Sequence, residues 1–109
     1  DLFGDKLERA RTLIAAEVEK GGMPAGASVQ IAPERMFSGF DAYKQLLDTD
    51  IDIVLLCCPP GFRARHLQAA VDAGKHVFCE KPLALTLADC DRAIAAAERA
   101  GIERSSPRV

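Results

Sequence analysis

The sequence predicts an α/β domain built on a parallel sheet, and three observations carry that prediction. Residues 53–58 (Ile-Val-Leu-Leu-Cys-Cys) are an apolar run of strand length cut off by Pro59-Pro60, and the lack of alternation fits a strand covered on both faces. A helical stretch closed by Gly74 follows, and then a second apolar run, His76-Val77-Phe78-Cys79. Strand, helix and strand in that order make a βαβ unit with parallel strands, whose carboxyl ends share one edge of the sheet. The second strand delivers Glu80-Lys81-Pro82 to that edge, where ligands of α/β sheets bind.

Taken from the start, Leu7, Ala10, Ile14 and Val18 recur at helical spacing. They predict a helix over residues 5–20, opened by a capping box of Asp5 and Glu8 and stopped at Gly21-Gly22. Between residues 21 and 33 the glycines, Pro24 and Pro33 break every periodicity, and a loop is expected. Residues 35–38 are expected to form a short edge strand, and Asp41 to cap a helix with Tyr43, Leu46 and Leu47 on its apolar face. After the first apolar strand, helix resumes around Arg63, with Ala64, Leu67, Ala70 and Val71 toward the core and Gly74 as a left-handed stop. Thr86 and Asp89 open a last helix, which runs through Leu87, Cys90, Ile94 and Ala97 to a terminator at Gly101. The alanines of residues 93–100 read as ordinary helix composition. Residues 102–109 are a polar tail where the alternation calls for another apolar strand.

A chain of 109 residues sustains one core, with about two-thirds of the unfolded surface buried at this size. The 14 basic and 16 acidic residues are mixed along the chain and leave a net charge of -2, so neither a nucleic-acid nor a membrane footprint is indicated. No apolar run reaches the ~18 residues of a membrane span. Cys57 and Cys58 are adjacent while Cys79 and Cys90 stand apart. That spacing indicates neither a disulfide framework nor a zinc site, and reduced, buried thiols in a cytoplasmic setting are expected. The first residue is Asp1, as in a sequence that starts inside a longer reading frame or was trimmed, so a signal peptide would not be visible.

Among residues that can carry chemistry, Lys81 has its backbone held extended by the proline after it. Partial desolvation in a crevice would make it a usable proton donor or acceptor; a surface lysine after a strand is the plain alternative. Glu80 beside it is either a second polar group of the site or a solvated charge. Pro59 and Pro60 offer a flat apolar face on which a planar ring can rest, or simply terminate the strand. Arg63, near a helix start with free amides, is placed to meet an anion, the alternative being an exposed first-turn arginine. His66 and His76 lack a second ligand at metal spacing and read as structural. The chain contains no Gly-x-Gly-x-x-Gly and no Ser/His/Asp arrangement.

The stretches Ile51-Asp-Ile-Val-Leu-Leu-Cys-Cys-Pro-Pro60 and Ala69-Ala-Val-Asp-Ala-Gly-Lys-His-Val-Phe-Cys-Glu-Lys-Pro82 resemble the glucose-fructose oxidoreductase and inositol dehydrogenase (Gfo/Idh/MocA) family of NAD(P)-dependent enzymes. The beginning, Asp1-Leu-Phe-Gly-Asp-Lys-Leu-Glu-Arg-Ala10, is similar to that family's segment after its second Rossmann strand. The similarity extends from Asp1 to about Gly101. It implies a partial Rossmann domain, a doubly wound parallel sheet, over residues 1–101. The first strands with their glycine-rich phosphate loop, and the second α+β domain, would lie outside this stretch.

The resemblance also implies roles. Lys81 matches the active-site lysine, and Glu80 and Pro82 would flank the nicotinamide ribose. Cys58, Pro59 and Pro60 would lie along the dinucleotide, NAD or NADP, and Asp1 would hold the adenosine ribose hydroxyls, favouring NAD because a carboxylate repels a 2′-phosphate. Arg63 stands where many members have a histidine. The expected activity is hydride transfer between the nicotinamide and a hydroxyl of a sugar, cyclitol or related polyol, by a full-length enzyme that associates with copies of itself. The alternative is a truncated, non-catalytic remnant or interaction module. The 109 residues alone are expected neither to bind a dinucleotide appreciably nor to catalyse, because the phosphate loop is missing and the strand at 53–58 keeps an open edge.

Overall fold

The structure, a computed structural model, describes residues 1–101, so the polar tail expected at 102–109 lies outside the described residues. The chain divides into two compact units, Asp1–Leu46 and Leu47–Val109.

The first unit opens with helix α1 (Gly4–Glu19), within a residue of the expected bounds. The capping box does not form: Phe3 occupies the N-cap without a side-chain bond, and Glu8 pairs with Arg11 at 2.7 Å instead. The reason is register. With Gly4 already helical, Asp5 stands inside the first turn, where its charge still complements the positive end of the helix but cannot cap it. No α1 residue is buried. Residues 21–32 form the expected loop. The expected edge strand at 35–38 is absent. A 3-10 turn, Pro33–Arg35, takes its place, closed by the Met36 amide donating to the Pro33 carbonyl at 3.1 Å. Met36 itself is extended, but the described residues hold one sheet, of two strands formed elsewhere, and extended backbone without a ladder partner is not a strand. Helix α2 (Ala42–Leu47) follows, with the Asp41 carbonyl accepting from the amides of Lys44 and Gln45.

The second unit carries the βαβ unit. Strand β1 (Ile53–Leu56), helix α3 (Pro60–Asp72) and strand β2 (His76–Cys79) run in order. The strands pair in parallel with Ile53 opposite His76 and Leu56 opposite Cys79. Helix α3 starts three residues before Arg63, because Pro60 takes the first helical position, where its missing amide costs nothing and its fixed φ already suits the helix. At the other end Gly74 adopts φ +72°, a conformation that strains any residue with a Cβ.

Burial corrects the expectation of a strand covered on both faces. Val54 and Leu56 are buried with Ala70, against Leu47, Ile51, Leu67, Val77 and Cys79. Ile53 and Leu55, on the opposite face, are 62% and 68% exposed, and Phe78 of β2 is 56% exposed. The apolar composition reports what the strand can bury on each side; only one side is covered here, by α3, which packs on both strands.

Helix α4 (Leu87–Arg99) is capped as expected, the Thr86 side chain accepting from the Asp89 amide at 3.1 Å, a bond whose loss costs about 1 kcal/mol. Gly101 ends it with φ +66°. The buried face differs from the expected one: Leu87, Cys90 and Ile94 are exposed, while Ala93 and Ala96 are buried. This helix packs on α3, whose buried apolar residues are Ala64 and Ala70. The buried face of α4 is thus its small Ala93 and Ala96, and the bulkier Leu87, Cys90 and Ile94 are turned out.

Candidate functional site

Parallel pairing brings the ends of both strands to one edge. Beyond β1 come Cys57, Cys58, Pro59 and Pro60, and beyond β2 come Glu80, Lys81 and Pro82. The ladder runs one residue past β2, with the Glu80 amide donating to the Leu56 carbonyl at 3.0 Å. The Glu80 carboxylate then turns back to accept from the Lys81 amide at 2.9 Å, and the Lys81–Pro82 peptide bond is cis. Lys81 is exposed, so the desolvation expected of it is not supplied by the described residues. Pro59 and Pro60 open α3 as its N-cap and first residue.

Arg63 is the organising residue of this edge, and it is neither exposed nor turned outward to an anion: it is only 6% exposed. Its Nε donates to the Cys58 carbonyl at 2.7 Å, and its Nη1 donates to the carbonyls of Glu80 at 3.1 Å and Pro82 at 2.6 Å. A buried guanidinium is tolerated when its donors are met, and no buried side-chain nitrogen or oxygen is left without a partner among the described residues. The composition of this stretch left Arg63 at the start of a helix. The signal for its burial is spacing: Arg63, Leu67 and Ala70 stand at i, i+4 and i+7, on the stripe that faces the core.

Cys58 and His66 meet at the same edge, Sγ to Nδ1 at 3.6 Å, and the His66 ring stacks on Phe62 at 6.0 Å between centroids. Burial pushes the Cys58 thiol up from its ordinary value against the opposing pull of the Arg63 charge, and burial likewise raises Cys79. Burial also lowers His66, assisted by the Arg65 charge. Both shifts favour the uncharged forms, thiol and imidazole. The expectation of buried thiols is not met: all four cysteines are free, Cys57 and Cys90 are exposed, and Cys58 and Cys79 are only half-buried. No cluster of three or more His, Cys, Asp or Glu side chains able to hold a metal occurs among the described residues.

Of the residues singled out from the sequence, Cys58, Pro59, Pro60, Arg63, Glu80, Lys81 and Pro82 thus come together. Asp1 belongs to the first unit, where its carboxylate accepts from the Phe3 amide at 3.0 Å and its amino group donates to the Phe37 carbonyl at 3.2 Å.

The model of an oxidoreductase family with an NAD-binding Rossmann fold matches residues 15–104. Myo-inositol 2-dehydrogenase of Thermotoga maritima is 40% identical over 62 residues, 57% of this chain and 19% of that protein. A 1-carboxy-3-chloro-3,4-dihydroxycyclohexa-1,5-diene dehydrogenase of Comamonas testosteroni is 50% identical over 52 residues, 48% of this chain and 13% of that protein. Among solved structures, an NAD-binding oxidoreductase from Klebsiella pneumoniae superimposes with a TM-score of 0.57 at 29% identity, covering 94% of this chain and 22% of that one. The chain thus spans under a quarter of each of these relatives. With the family model matched over most of its length and a parallel βαβ unit presenting Glu80-Lys81-Pro82 at the strand ends, the chain belongs to the Gfo/Idh/MocA family of NAD-binding oxidoreductases.

Proposed function

We propose that this chain forms the nicotinamide side of an enzyme that oxidises a hydroxyl of a sugar, cyclitol or related polyol with NAD, and that Lys81 is its acid/base group. The observation that carries the proposal is the convergence of residues 58–60 and 80–82 on one sheet edge through the Arg63 bonds. The residues fit the cofactor's nicotinamide end: Pro59 and Pro60 offer an apolar face, and Glu80 and Lys81 lie exposed beside them. Bound NAD would supply the hydride acceptor. Lys81 would take the hydroxyl proton on Nζ, Glu80 and Pro82 would hold the nicotinamide ribose, and Cys58 with Pro59 and Pro60 would hold the dinucleotide beside them. Asp1 would hold the adenosine ribose hydroxyls and would favour NAD over NADP by charge repulsion of a 2′-phosphate.

In the full-length protein, Lys81→Ala should lower turnover of myo-inositol with NAD by roughly 100-fold or more, the scale of a lost acid/base group, with NAD affinity little changed. Turnover near the wild-type rate in that variant would sink the assignment of Lys81, and a clear preference of the wild type for NADP would sink that of Asp1.

A further inference from the structure

The guanidinium of Arg63 takes no part in the proton and hydride transfer above, yet its bonds enclose the residue that does. The sheet ladder ends with the Glu80 amide on the Leu56 carbonyl. Beyond it, Nη1 of Arg63 holds the carbonyl just before Lys81, that of Glu80, and the carbonyl just after it, that of Pro82. The same planar group reaches through Nε to the Cys58 carbonyl at the end of β1. One rigid fork thus fixes the 58–60 turn and the 80–82 segment relative to each other. The acceptors in these bonds are neutral carbonyls, so geometry rather than charge pairing is what the fork supplies.

We propose that Arg63 is a positioning residue, which sets the place of Lys81 by clamping the backbone on either side of it. The proposal rests on the reading of Lys81 as the acid/base group. Lysine at position 63 would keep the charge and most of the length, but its single ammonium lacks the planar fork that reaches both segments in fixed geometry. Methionine would remove the donors altogether.

The test uses the full-length protein as wild type, Arg63→Lys and Arg63→Met, with amide hydrogen exchange read peptide by peptide and turnover measured with NAD and myo-inositol. In both variants, exchange at residues 80–83 should accelerate at least about 10-fold while α4 keeps its protection. In Arg63→Lys, kcat should fall about 10- to 100-fold, as a small misplacement of a reacting group does, with the KM for NAD changed less than about threefold. Unchanged exchange at residues 80–83 would overturn the proposal. So would uniform loss of protection through α3 and α4, which marks an ordinary core residue. If the wild type oxidises no polyol with NAD, the reading of Lys81 fails, while the exchange comparison still decides whether Arg63 holds the segment.

Discussion

Leu55 and Leu56 are chemically identical neighbours in β1 with opposite surroundings, 68% and 6% exposed, so truncating each in turn measures which face of the sheet is covered. Leu56 packs in the cluster with Val54 and Ala70. Leu56→Ala therefore removes nearly a full side chain's burial and leaves a cavity, for a loss of about 2–4 kcal/mol. Leu55 buries about a third of what Leu56 buries, and at about 1.5–3 kcal/mol for complete burial its truncation costs roughly 0.5–1 kcal/mol, with no enclosed cavity to add. Urea unfolding of the 109-residue chain followed by far-UV circular dichroism resolves the difference, the absence of tryptophan ruling out the usual fluorescence probe. Equal losses for the two variants would refute the argument, because they would require the Ile53–Leu55 face to be packed as tightly as the other.

Two further outcomes follow from the thiols and His66. A disulfide reagent at pH 8 should label exposed Cys57 and Cys90 first, with Cys58 and Cys79 slower by about 10-fold or more because burial raises their pKa; labelling of Cys58 ahead of Cys57 would contradict this. Stability should also fall on both sides of neutrality. His66 has a lowered folded pKa, so its contribution is present above the ordinary value of 6.5 and is lost as pH falls. Cys58 and Cys79 have raised folded values, so theirs is present below the ordinary 9.0 and is lost as pH rises through the folded pKa. Urea midpoints across pH 5–10 check both limbs, and His66→Phe should abolish the acid one; an unchanged acid limb in that variant would refute the assignment to His66.

The sequence by itself determined the βαβ unit, the parallel direction of its strands, the stops at Gly74 and Gly101 and the Thr86 cap. Each of these follows from a local cause: an apolar run of strand length, a residue free to adopt positive φ, a hydroxyl one residue ahead of a helix. It also placed Cys58 to Pro60 and Glu80 to Pro82 at one edge, because parallel strands force their carboxyl ends together. Tertiary structure decided what depends on partners distant in the chain. The segment at 35–38 is not a strand because a ladder needs a second strand, and Leu87 and Ile94 face outward while Ala93 and Ala96 are the buried residues of α4. Arg63 is a buried clamp rather than an exposed charge because the carbonyls of Cys58, Glu80 and Pro82 converge on it, and the two that flank Lys81 come from beyond the next strand. A local pattern encodes what a residue can offer, whereas burial and hydrogen bonding depend on which surfaces the fold brings against it.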